Sequence, residues 1–417
     1  MRIGIDFGTT HTVAALVDRG NYPVVAFEGG DVFPSVAAVE TATGRLRFGT
    51  RALAAAERPG WRPIRSFKRL LAGAGPGTRV ALGPHEMPLL DLLTGHFAAL
   101  GRELVEGSNA GVRAGEPLVA AVSVPANASS DQRFLTLEAF RRAGFEVVAV
   151  LNEPSATGFE YARRFGRTLT SRREHVVVYD LGGGTFDVSL LHMAGLANEV
   201  LASAGMPRLG GDDFDAALAA LVAERAGLGR LAGEAGALLL EECRRQKERL
   251  LPQSRRFVVD LAALGLPPLA LPVEEAYEAC RPLVERTLAL VDEVLGVPGV
   301  SGVSGVSGLG GGTGWEEVAG LYVAGGASGF PPVLRQLRER HGERRVRRSP
   351  HPFAATAIGL ACFLDEESGV TLSDVLSRTF GVFREARGGQ EVAFDPVFLR
   401  DTALPAPGAP PLESGGR

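Results

Sequence analysis

Two carboxylates and three glycines lie close together in the segment VVVYDLGGGTFDVSLL, residues 176–191. Asp180 and Asp187 flank the glycine run, and Thr185 follows it directly. Three bare backbone positions are entropically costly for a simple hairpin turn, but they let N–H groups approach an anion without a Cβ in the way. Carboxylates beside phosphate groups need a cation between them, so the segment predicts a polyphosphate site with Mg²⁺ held partly through water.

The segment RIGIDFGTTHTVAALV, residues 2–17, repeats this plan, and its Asp6 stands 174 positions before Asp180. Each copy contains an apolar strand, an aspartate, glycine with threonine, and a second strand. We therefore predict two related α/β lobes, each of which presents a glycine turn and a carboxylate to a shared cleft.

Two other phosphate-binding motifs are excluded by the residues around the glycines. The pattern G-x-x-x-x-G-K-[ST] does not occur, which argues against a P-loop. The dinucleotide fingerprint needs a helix after its glycines, whereas TFDVSLL alternates like a strand. The pattern therefore favours phosphates but not a dinucleotide.

Composition limits the classes of partner. The 417 residues carry a formal net charge of −4, which gives no basic footprint for nucleic acid. No uncharged apolar run approaches the ~18 residues of a membrane span, no signal peptide is recognised, and the three cysteines are far apart, so a cytoplasmic protein is predicted. Only Lys68 and Lys247 are lysines among 44 basic residues, which suggests that these two positions need a compact charge.

The pattern of apolar residues outlines the elements between these motifs. Helices are predicted at SSDQRFLTLEAFRRAG, NEPSATGFEYARRFG, GGDDFDAALAALVAERAG, ALLLEECRRQKERLL, VEEAYEACRPLVERTLALVDEVLG and FAATAIGLACFL, and strands at RIGI, HTVAALV, YPVVAF, EVVAV, NEVLASAG and GLYVAGG. The glycine-rich residues 296–314 are expected to form a flexible surface insertion, and PAPGAPPLESGGR a disordered tail.

These motifs resemble, in order, those of the seventy-kilodalton heat-shock chaperone (DnaK-type) family within the actin and sugar-kinase superfamily. IGIDFGTTHT and DLGGGTFDVSLL are similar to its two phosphate loops, RLGGDDFD to its glycine-acidic turn, and YVAGGASGFPPV to its adenosine motif. VSVPANASSDQRFLTLEAFRRAGFEVVAVLNEPSATGFEY resembles the segment that crosses between lobes. The similarity extends from residue 1 to about residue 365.

The resemblance implies an α/β, two-lobed actin-like ATPase fold, in which each lobe is a mixed sheet flanked by helices around a deep nucleotide cleft. Lobe I is expected at residues 1–172, with 361–369 returning to it, and lobe II at residues 173–360. A linker-like segment, a remnant of the substrate-binding domain and the tail are expected at 370–417.

The resemblance also implies roles for single residues, with ATP or ADP and Mg²⁺ as cofactors and K⁺ as a further candidate. Lys68 falls where the family has a lysine that contacts the γ-phosphate and the attacking water, and Glu153 where a carboxylate orients water and metal. Asp6 and Asp180 match metal ligands that act through water, with Asp187 as a further candidate. The other implied nucleotide contacts are Gly8, Thr9, Thr10, Gly182, Gly183, Gly184, Thr185, Gly210, Gly211, Lys247, Gly325 and Gly326.

The adenine-binding positions depart from the family pattern. The glycines at 325 and 326 are followed by Ala-Ser-Gly, so the arginine that stacks on the base in the family is missing. Arg244 replaces an expected glutamate and Glu248 an expected basic residue, with Arg245 and Arg249 as candidate substitutes on the same helix. These changes predict a modified adenine site.

The C-terminal region departs further. VTLSDVLSRTFGVF, residues 370–383, resembles the interdomain linker, and the residues after it are too few for a peptide-binding β-sandwich with a helical lid. Binding of client peptides by the usual route is therefore not expected. Nucleotide is the expected ligand, and J-domain-type co-chaperones and nucleotide-exchange factors are the candidate partners.

Three functions are compatible with these motifs. The leading prediction is a chaperone-like protein that binds ATP and hydrolyses it slowly as a conformational switch. A non-catalytic or filament-forming actin-like scaffold is the first alternative. A small-molecule kinase of the sugar-kinase type is the second, although no segment resembles a substrate pocket with its own base.

Overall fold

The structure, a computed structural model, describes residues 1–113, 115–194, 197–229, 231–296, 314–372, 379–389, 391–399 and 402. The expected surface insertion therefore lies outside the described residues except at its two ends, and so does the expected tail. The linker-like segment is described only in part.

The first part of the chain builds a mixed sheet with two small sheets beside it. Its strands are β1 (Arg2–Phe7), β2 (His11–Leu16), β3 (Phe33–Pro34), β4 (Val36–Glu40), β5 (Leu46–Phe48), β6 (Trp61–Arg65), β7 (Arg79–Leu82), β8 (His85–Pro88), β9 (Val119–Val124) and β10 (Glu146–Asn152). Its helices are α1 (Thr50–Ala56), α2 (Leu89–Glu106), α3 (Ser130–Arg142) and α4 (Glu153–Phe165). The main sheet has the order β10-β9-β1-β2-β3, and β5-β4-β6 and β7-β8 form separate small sheets.

The second part builds another mixed sheet. Its strands are β11 (His175–Leu181), β12 (Phe186–Ala194), β13 (Ala197–Met206), β14 (Arg256–Val259), β15 (Leu269–Pro272), β16 (Val318–Ala324), β17 (Val346–Arg348), β18 (Thr371–Leu372), β19 (Phe380–Ala386) and β20 (Glu391–Phe398). Its helices are α5 (Gly211–Arg225), α6 (Gly233–Glu248), α7 (Val273–Val294), α8 (Pro331–His341) and α9 (Ala355–Leu364). The main sheet has the order β17-β16-β11-β12-β13-β18, and β14-β15 and β19-β20 are hairpins.

The two main sheets share one topology. In each, the first hairpin strand pairs antiparallel with its successor and parallel with a later strand: β1 with β2 and β9, and β11 with β12 and β16. The register also agrees, because Asp6 pairs with Val13 and Asp180 pairs with Asp187, each seven residues on. The predicted α/β fold of two related lobes is confirmed.

Helices α4 and α9 connect the lobes. Phe159 of α4 packs in the core that α9 forms beneath the first sheet, whereas Tyr161 packs in a core beneath the second sheet. The two helices approach so closely at Gly359 that a Cβ there would lie 1.7 Å from the Ala156 carbonyl oxygen. The boundary predicted between residues 360 and 361 falls inside α9, which packs as a whole on the first sheet. The predicted domain limits stay a proposal, and this boundary is better set before Ala355.

A local sequence signal explains where helix α3 begins. Ser129 caps α3 in a capping box, with its hydroxyl accepting from the Gln132 N–H and the Gln132 side chain accepting from the Ser129 N–H.

The strand predicted at YPVVAF is wrong: residues 22–27 run beside β2 but form only isolated bridges, one of them between Ala15 and Val24. Pro23 lacks the N–H that a continuous ladder requires.

Candidate functional site

A cavity of about 970 Å³ lies between the two glycine hairpins. The predicted site residues that line it are Asp6, Gly8, Thr9, Thr10, Lys68, Glu153, Asp180, Gly182, Gly183, Thr185, Asp187, Gly211, Lys247, Gly325 and Gly326. Two predicted contacts, Gly184 and Gly210, do not line it. The sequence therefore located one shared site from segments that are far apart in the chain.

The two glycine loops have the same turn and touch each other. The Gly8 N–H donates to the His11 carbonyl at 3.0 Å, and the Gly182 N–H donates to the Thr185 carbonyl at 2.9 Å. A Cβ at Gly183 would lie 1.8 Å from Thr10 Oγ1, so only glycine lets the loops approach this closely. Thr10 Oγ1 is buried and has no hydrogen-bond partner among the described residues. An orphaned hydroxyl between two backbone loops fits an anion with several oxygens.

The turn before α5 holds the second loop in place. The Gly211 N–H donates to the Gly182 carbonyl at 3.0 Å, and the Asp212 N–H donates to the Gly183 carbonyl at 2.7 Å. A Cβ at Gly210 would lie 2.7 Å from the backbone of Gly183, and one at Gly184 would lie 2.7 Å from Thr9 Cγ2. Both glycines are thus needed for close packing of the loops, and their contact with nucleotide stays a prediction.

A lysine and a glutamate form an ion pair at the end of the cavity between the lobes. Lys68 lies on a short 3₁₀ turn (Phe67–Leu71) after β6, and Glu153 begins α4 directly after β10. Lys68 Nζ donates to Glu153 Oε1 at 2.8 Å, and 14% of each side chain is exposed. Burial lowers the Lys68 pKa, but Glu153 and Asp6 raise it, and the net effect is a raised pKa. The ammonium group therefore stays charged.

Three aspartates share this part of the cavity. Burial, followed by the charge of Glu153, raises the pKa of Asp6 to about 6 and that of Asp187 to about 7. Burial and the neighbouring carboxylates raise the pKa of Asp180 well above its ordinary value. Ser123 Oγ donates to Asp6 Oδ1 at 2.7 Å and partly offsets the shift of Asp6. The cavity thus concentrates more negative charge than Lys68 compensates.

These carboxylates fit a cation held indirectly. Among the described residues, no group of three or more His, Cys, Asp or Glu side chains converges closely enough to bind a metal ion directly. Asp6, Asp180 and Asp187 nevertheless line one cavity, and their raised pKa values mean that an added cation would favour the ionised forms.

Lys247 and Arg244 of α6 share one acceptor. Lys247 Nζ lies 2.6 Å from Asp215 Oδ1 and donates to the Gly211 carbonyl at 2.9 Å. Arg244 Nε donates to Asp215 Oδ2 at 2.9 Å, and its Nη2 donates to Asp212 Oδ1 at 3.2 Å. Arg244, which stands where a glutamate was expected, thus pairs with acids at the start of α5.

The part of the cavity lined by Gly325, Gly326 and Gly329 is where an adenine base was expected. Gly325 has φ 81°, and a Cβ there would lie 2.4 Å from Asp180 Oδ1, which explains the glycine. Gly329 stands at the position where the family has the arginine. The Arg348 guanidinium lies 3.3 Å from the place that a Cβ of residue 329 would occupy. Arg348 and Arg338 both line the cavity, whereas Arg245 and Arg249, the expected substitutes, do not.

The sequence did not identify the contacts that cross the cleft beside Lys68. Ser66 Oγ donates to Asp212 Oδ2 at 3.2 Å, and Arg69 donates to the Gly184 carbonyl. Ser66 has φ 53°, a left-handed conformation that is uncommon for serine. Neither residue belongs to a glycine motif, so only the fold brings them to the site.

The two sheets, the paired glycine hairpins and the cavity between them define the class of actin-like ATPase folds. A family model described as "Hsp70 protein" matches residues 108–406. The chain belongs to this family, and the resemblance inferred from the motifs is confirmed. In the part of the chain that the structure describes, no helix has both the length and the apolar character to span a membrane.

Individual relatives agree with this assignment. The chain is 32% identical over 431 residues to the chaperone protein HscA homolog of Pseudomonas putida, covering 97% of this chain and 64% of the relative. It is 31% identical over 433 residues to that of Ralstonia nicotianae, covering 97% and 65%, and 30% identical over 431 residues to the chaperone protein DnaK of Thermotoga petrophila, covering 97% and 66%. The chain thus spans about two thirds of the length of these relatives. The scaffold and sugar-kinase alternatives are not favoured.

Proposed function

We propose that this chain binds ATP in the cavity between its lobes and hydrolyses it slowly, as the nucleotide-dependent switch of a chaperone-like protein. The observation that carries the proposal is the pair of glycine loops enclosing the orphaned Thr10 hydroxyl, with the Lys68–Glu153 ion pair beside them. The matched relatives are named chaperones, which supports the same function.

The glycine loops would bind the phosphates. Residues 8–10, Gly182, Gly183 and Thr185 line this space. Their N–H groups and hydroxyls, other than the Gly8 and Gly182 N–H groups that close the two turns, would bind phosphate oxygens. Because the loops cover Thr10 Oγ1, it would gain a phosphate oxygen as its partner only after the loops shift, and the loss of an unsatisfied buried hydroxyl would then add to affinity. The loops belong to different lobes, so an anion bound by both would favour a closed cleft.

The carboxylates would govern the metal. Mg²⁺ bound with the nucleotide would neutralise phosphate charge, and Asp6, Asp180 and Asp187 are the residues proposed to hold it through water. K⁺ remains a further proposed cation without an assigned ligand.

Hydrolysis would depend on positioning, because phosphoryl transfer to water offers little covalent chemistry to the protein. We assign Lys68 to the terminal phosphate, where its compact charge would stabilise the negative oxygens. Glu153, fixed by its bond to Lys68 at 2.8 Å, would orient the attacking water. Since no additional arginine is assigned to the transferred group, slow turnover is expected.

Partners remain proposals as well. J-domain-type co-chaperones and nucleotide-exchange factors are candidates because the matched relatives are chaperones. Within the described residues after 379, the chain forms the β19–β20 hairpin. The cytoplasmic location stays a prediction from composition.

Single-turnover hydrolysis of labelled ATP with Mg²⁺ and K⁺ tests the proposal, with nucleotide binding measured in parallel. Lys68→Ala and Glu153→Gln should each slow hydrolysis by about 100-fold and leave binding within several-fold of wild type. Glu138→Gln, which removes only a helix-surface ion pair with Arg142, is the matched control. Binding without hydrolysis in the wild type would support the scaffold instead, and failure to bind ATP would overturn the proposal.

A further inference from the structure

A histidine is completely buried among aromatic rings behind the first glycine loop. His96 of α2 is 0% exposed, and its ring centroid lies 5.6, 5.2 and 5.1 Å from those of Phe7, Phe33 and Phe67. Burial lowers its pKa to about 3, so the imidazole is neutral. A neutral polar ring in an apolar cage is costly unless its polar atoms are used.

One ring nitrogen begins a chain of buried hydrogen bonds that ends at the glycine loop. His96 Nε2 lies 3.0 Å from Thr12 Oγ1, which lies 3.0 Å from Ser35 Oγ. Ser35 Oγ donates to the Gly8 carbonyl oxygen at 2.9 Å. The side chains of His96, Thr12 and Ser35 are all buried, so this relay is shielded from water.

The end of the relay fixes the direction of every bond in it. The Gly8 carbonyl can only accept, so the single Ser35 hydroxyl proton is used there. Ser35 Oγ must then accept from the Thr12 hydroxyl, and Thr12 Oγ1 must accept from His96 Nε2–H. The imidazole is therefore the Nε2–H tautomer. Its Nδ1 keeps a lone pair, which agrees with the lack of a partner for this atom among the described residues.

The second lobe holds the equivalent carbonyls by other means. Gly182 occupies the position of Gly8, and its carbonyl accepts from the Gly211 N–H at 3.0 Å. The Gly184 carbonyl accepts from Arg69, and the carbonyl of its counterpart Thr10 accepts from the Ser35 N–H at 2.9 Å. In both loops the same two carbonyls accept a hydrogen bond from outside the loop. These bonds therefore fix the loop conformation in each lobe.

We propose that His96, acting through Thr12 and Ser35, is a positioning residue that holds the first glycine loop in its phosphate-binding conformation. The proposal deepens the proposed function and rests on it. These bonds fix the Gly8 and Thr10 carbonyls, and with them the backbone of a loop that lines the cavity. A loop without this support would lose conformational order that binding must then restore.

The tautomer can be tested on the wild-type protein without any substitution. With ¹⁵N-labelled histidine, NMR should show His96 protonated at Nε2 and bare at Nδ1, with no titration between pH 5 and 8. A proton at Nδ1, or titration in this range, would overturn the relay. This measurement does not depend on nucleotide binding, so it separates failure of the relay from failure of the proposed function.

Substitutions test the link to the phosphate site. His96→Leu should weaken binding of Mg·ATP by about three- to tenfold. His96→Gln, whose amide can donate to Thr12, should restore most of the affinity. Ser35→Ala should cause a similar loss, and the double variant His96→Leu/Ser35→Ala little more, because both act on the same carbonyl.

A stability measurement distinguishes positioning from simple packing. Leu104→Ala, a fully buried position two turns further along the same helix, should lower the unfolding midpoint by several degrees and leave the Mg·ATP affinity of the folded protein unchanged. His96→Leu should show the reverse pattern, with a small change in midpoint and a clear loss of affinity. Equal affinity of His96→Leu and wild type would overturn the proposal, as would a loss in His96→Leu that Leu104→Ala reproduces.

Discussion

Ser66 of the first lobe donates a hydrogen bond to Asp212 of the second lobe, with 3.2 Å between Oγ and Oδ2. Ser66 lies two residues before Lys68, and Asp212 lies in the first turn of α5, next to the second glycine loop. Asp212 Oδ1 accepts from Arg244. The segment that carries Lys68 is therefore fixed by the opposite lobe, so its placement depends on closure of the cleft.

Two substitutions of Ser66 should separate this bond from backbone strain. Ser66→Ala and Ser66→Gly both remove the hydroxyl and should slow hydrolysis by the same factor, about three- to tenfold. Only glycine adopts φ 53° without a steric penalty, so Ser66→Gly should be more stable than Ser66→Ala by about 1 kcal/mol in urea unfolding. Equal stability would contradict the left-handed conformation, and unequal rates would contradict a shared role for the hydroxyl.

The buried aspartates predict an unusual pH dependence for the nucleotide-free protein. Asp187 has a folded-state pKa of about 7 and Asp6 one of about 6, both raised from 3.8 by burial first and Glu153 second. The native state therefore binds protons more tightly than the unfolded chain does. The resulting stabilisation is fully present below the unfolded pKa and is lost as pH rises through the folded pKa.

This contribution should lower the unfolding temperature between pH 5 and pH 8. His96 and His11, whose pKa values are lowered, act in the opposite direction, so the contribution is measured as the difference between wild type and Asp187→Asn. Asp187→Asn should flatten this fall and stabilise the protein at pH 8 by about 1–3 kcal/mol. Asp395→Asn, on the β19–β20 hairpin, is an exposed control that should leave the profile unchanged. A stability difference between Asp187→Asn and wild type that does not change over this pH range would show that Asp187 is ionised in the native state.

Gly183→Ala should abolish the close contact of the two loops. The added methyl group would lie 1.8 Å from Thr10 Oγ1, so the loops must separate. We expect at least a tenfold loss of Mg·ATP affinity by titration calorimetry. Gly77→Ala is the matched control, because a Cβ there has nothing within 4 Å, and it should bind like wild type. Unchanged affinity in Gly183→Ala would mean that the loops need not touch.

Arg348→Ala tests whether the part of the cavity lined by Gly329 and Arg348 binds a base. Burial and the nearby Arg338 lower the pKa of Arg348, and its guanidinium lies beside Gly329. A guanidinium plane stacks on a base, so we expect ATP affinity to fall several-fold. Affinity for inorganic tripolyphosphate, which has no base, should not change. An equal loss for both ligands would indicate that Arg348 acts on phosphate.

The sequence predicted the site residues that belong to local sequence patterns. Asp6 and Asp180 each sit at the end of an apolar strand before glycine, and the strand–turn–strand plan places such residues at one sheet edge without knowledge of the rest of the fold. Glu153 was assigned through the resemblance of LNEPSA to the family motif, and it lies at the start of α4 directly after β10.

The supporting contacts could not be predicted because they join residues far apart in the chain. His96 meets Thr12 across 84 positions, and Ser66 meets Asp212 across 146. Arg348 reaches the cavity from a short edge strand that carries no nucleotide motif. A buried histidine also has the spacing of an ordinary core residue on α2, so only its bonding distinguishes it. The YPVVAF strand failed because an apolar run does not guarantee a partner ladder.

The contact between Gly359 and the Ala156 carbonyl lies much nearer to the start of helix α4 than to its end. No side chain separates the two backbones there, so a tilt of α4 relative to α9 would turn about this contact. Glu153 lies about 4.5 Å along the helix axis from this contact, and Phe165 lies about 13.5 Å from it. A tilt of ~10° would therefore move Glu153 by about 0.8 Å and Phe165 by about 2.4 Å. Phe165 packs against Tyr322 of the second sheet. A sub-ångström adjustment at the reacting end would thus be magnified about threefold at the end that carries the other lobe.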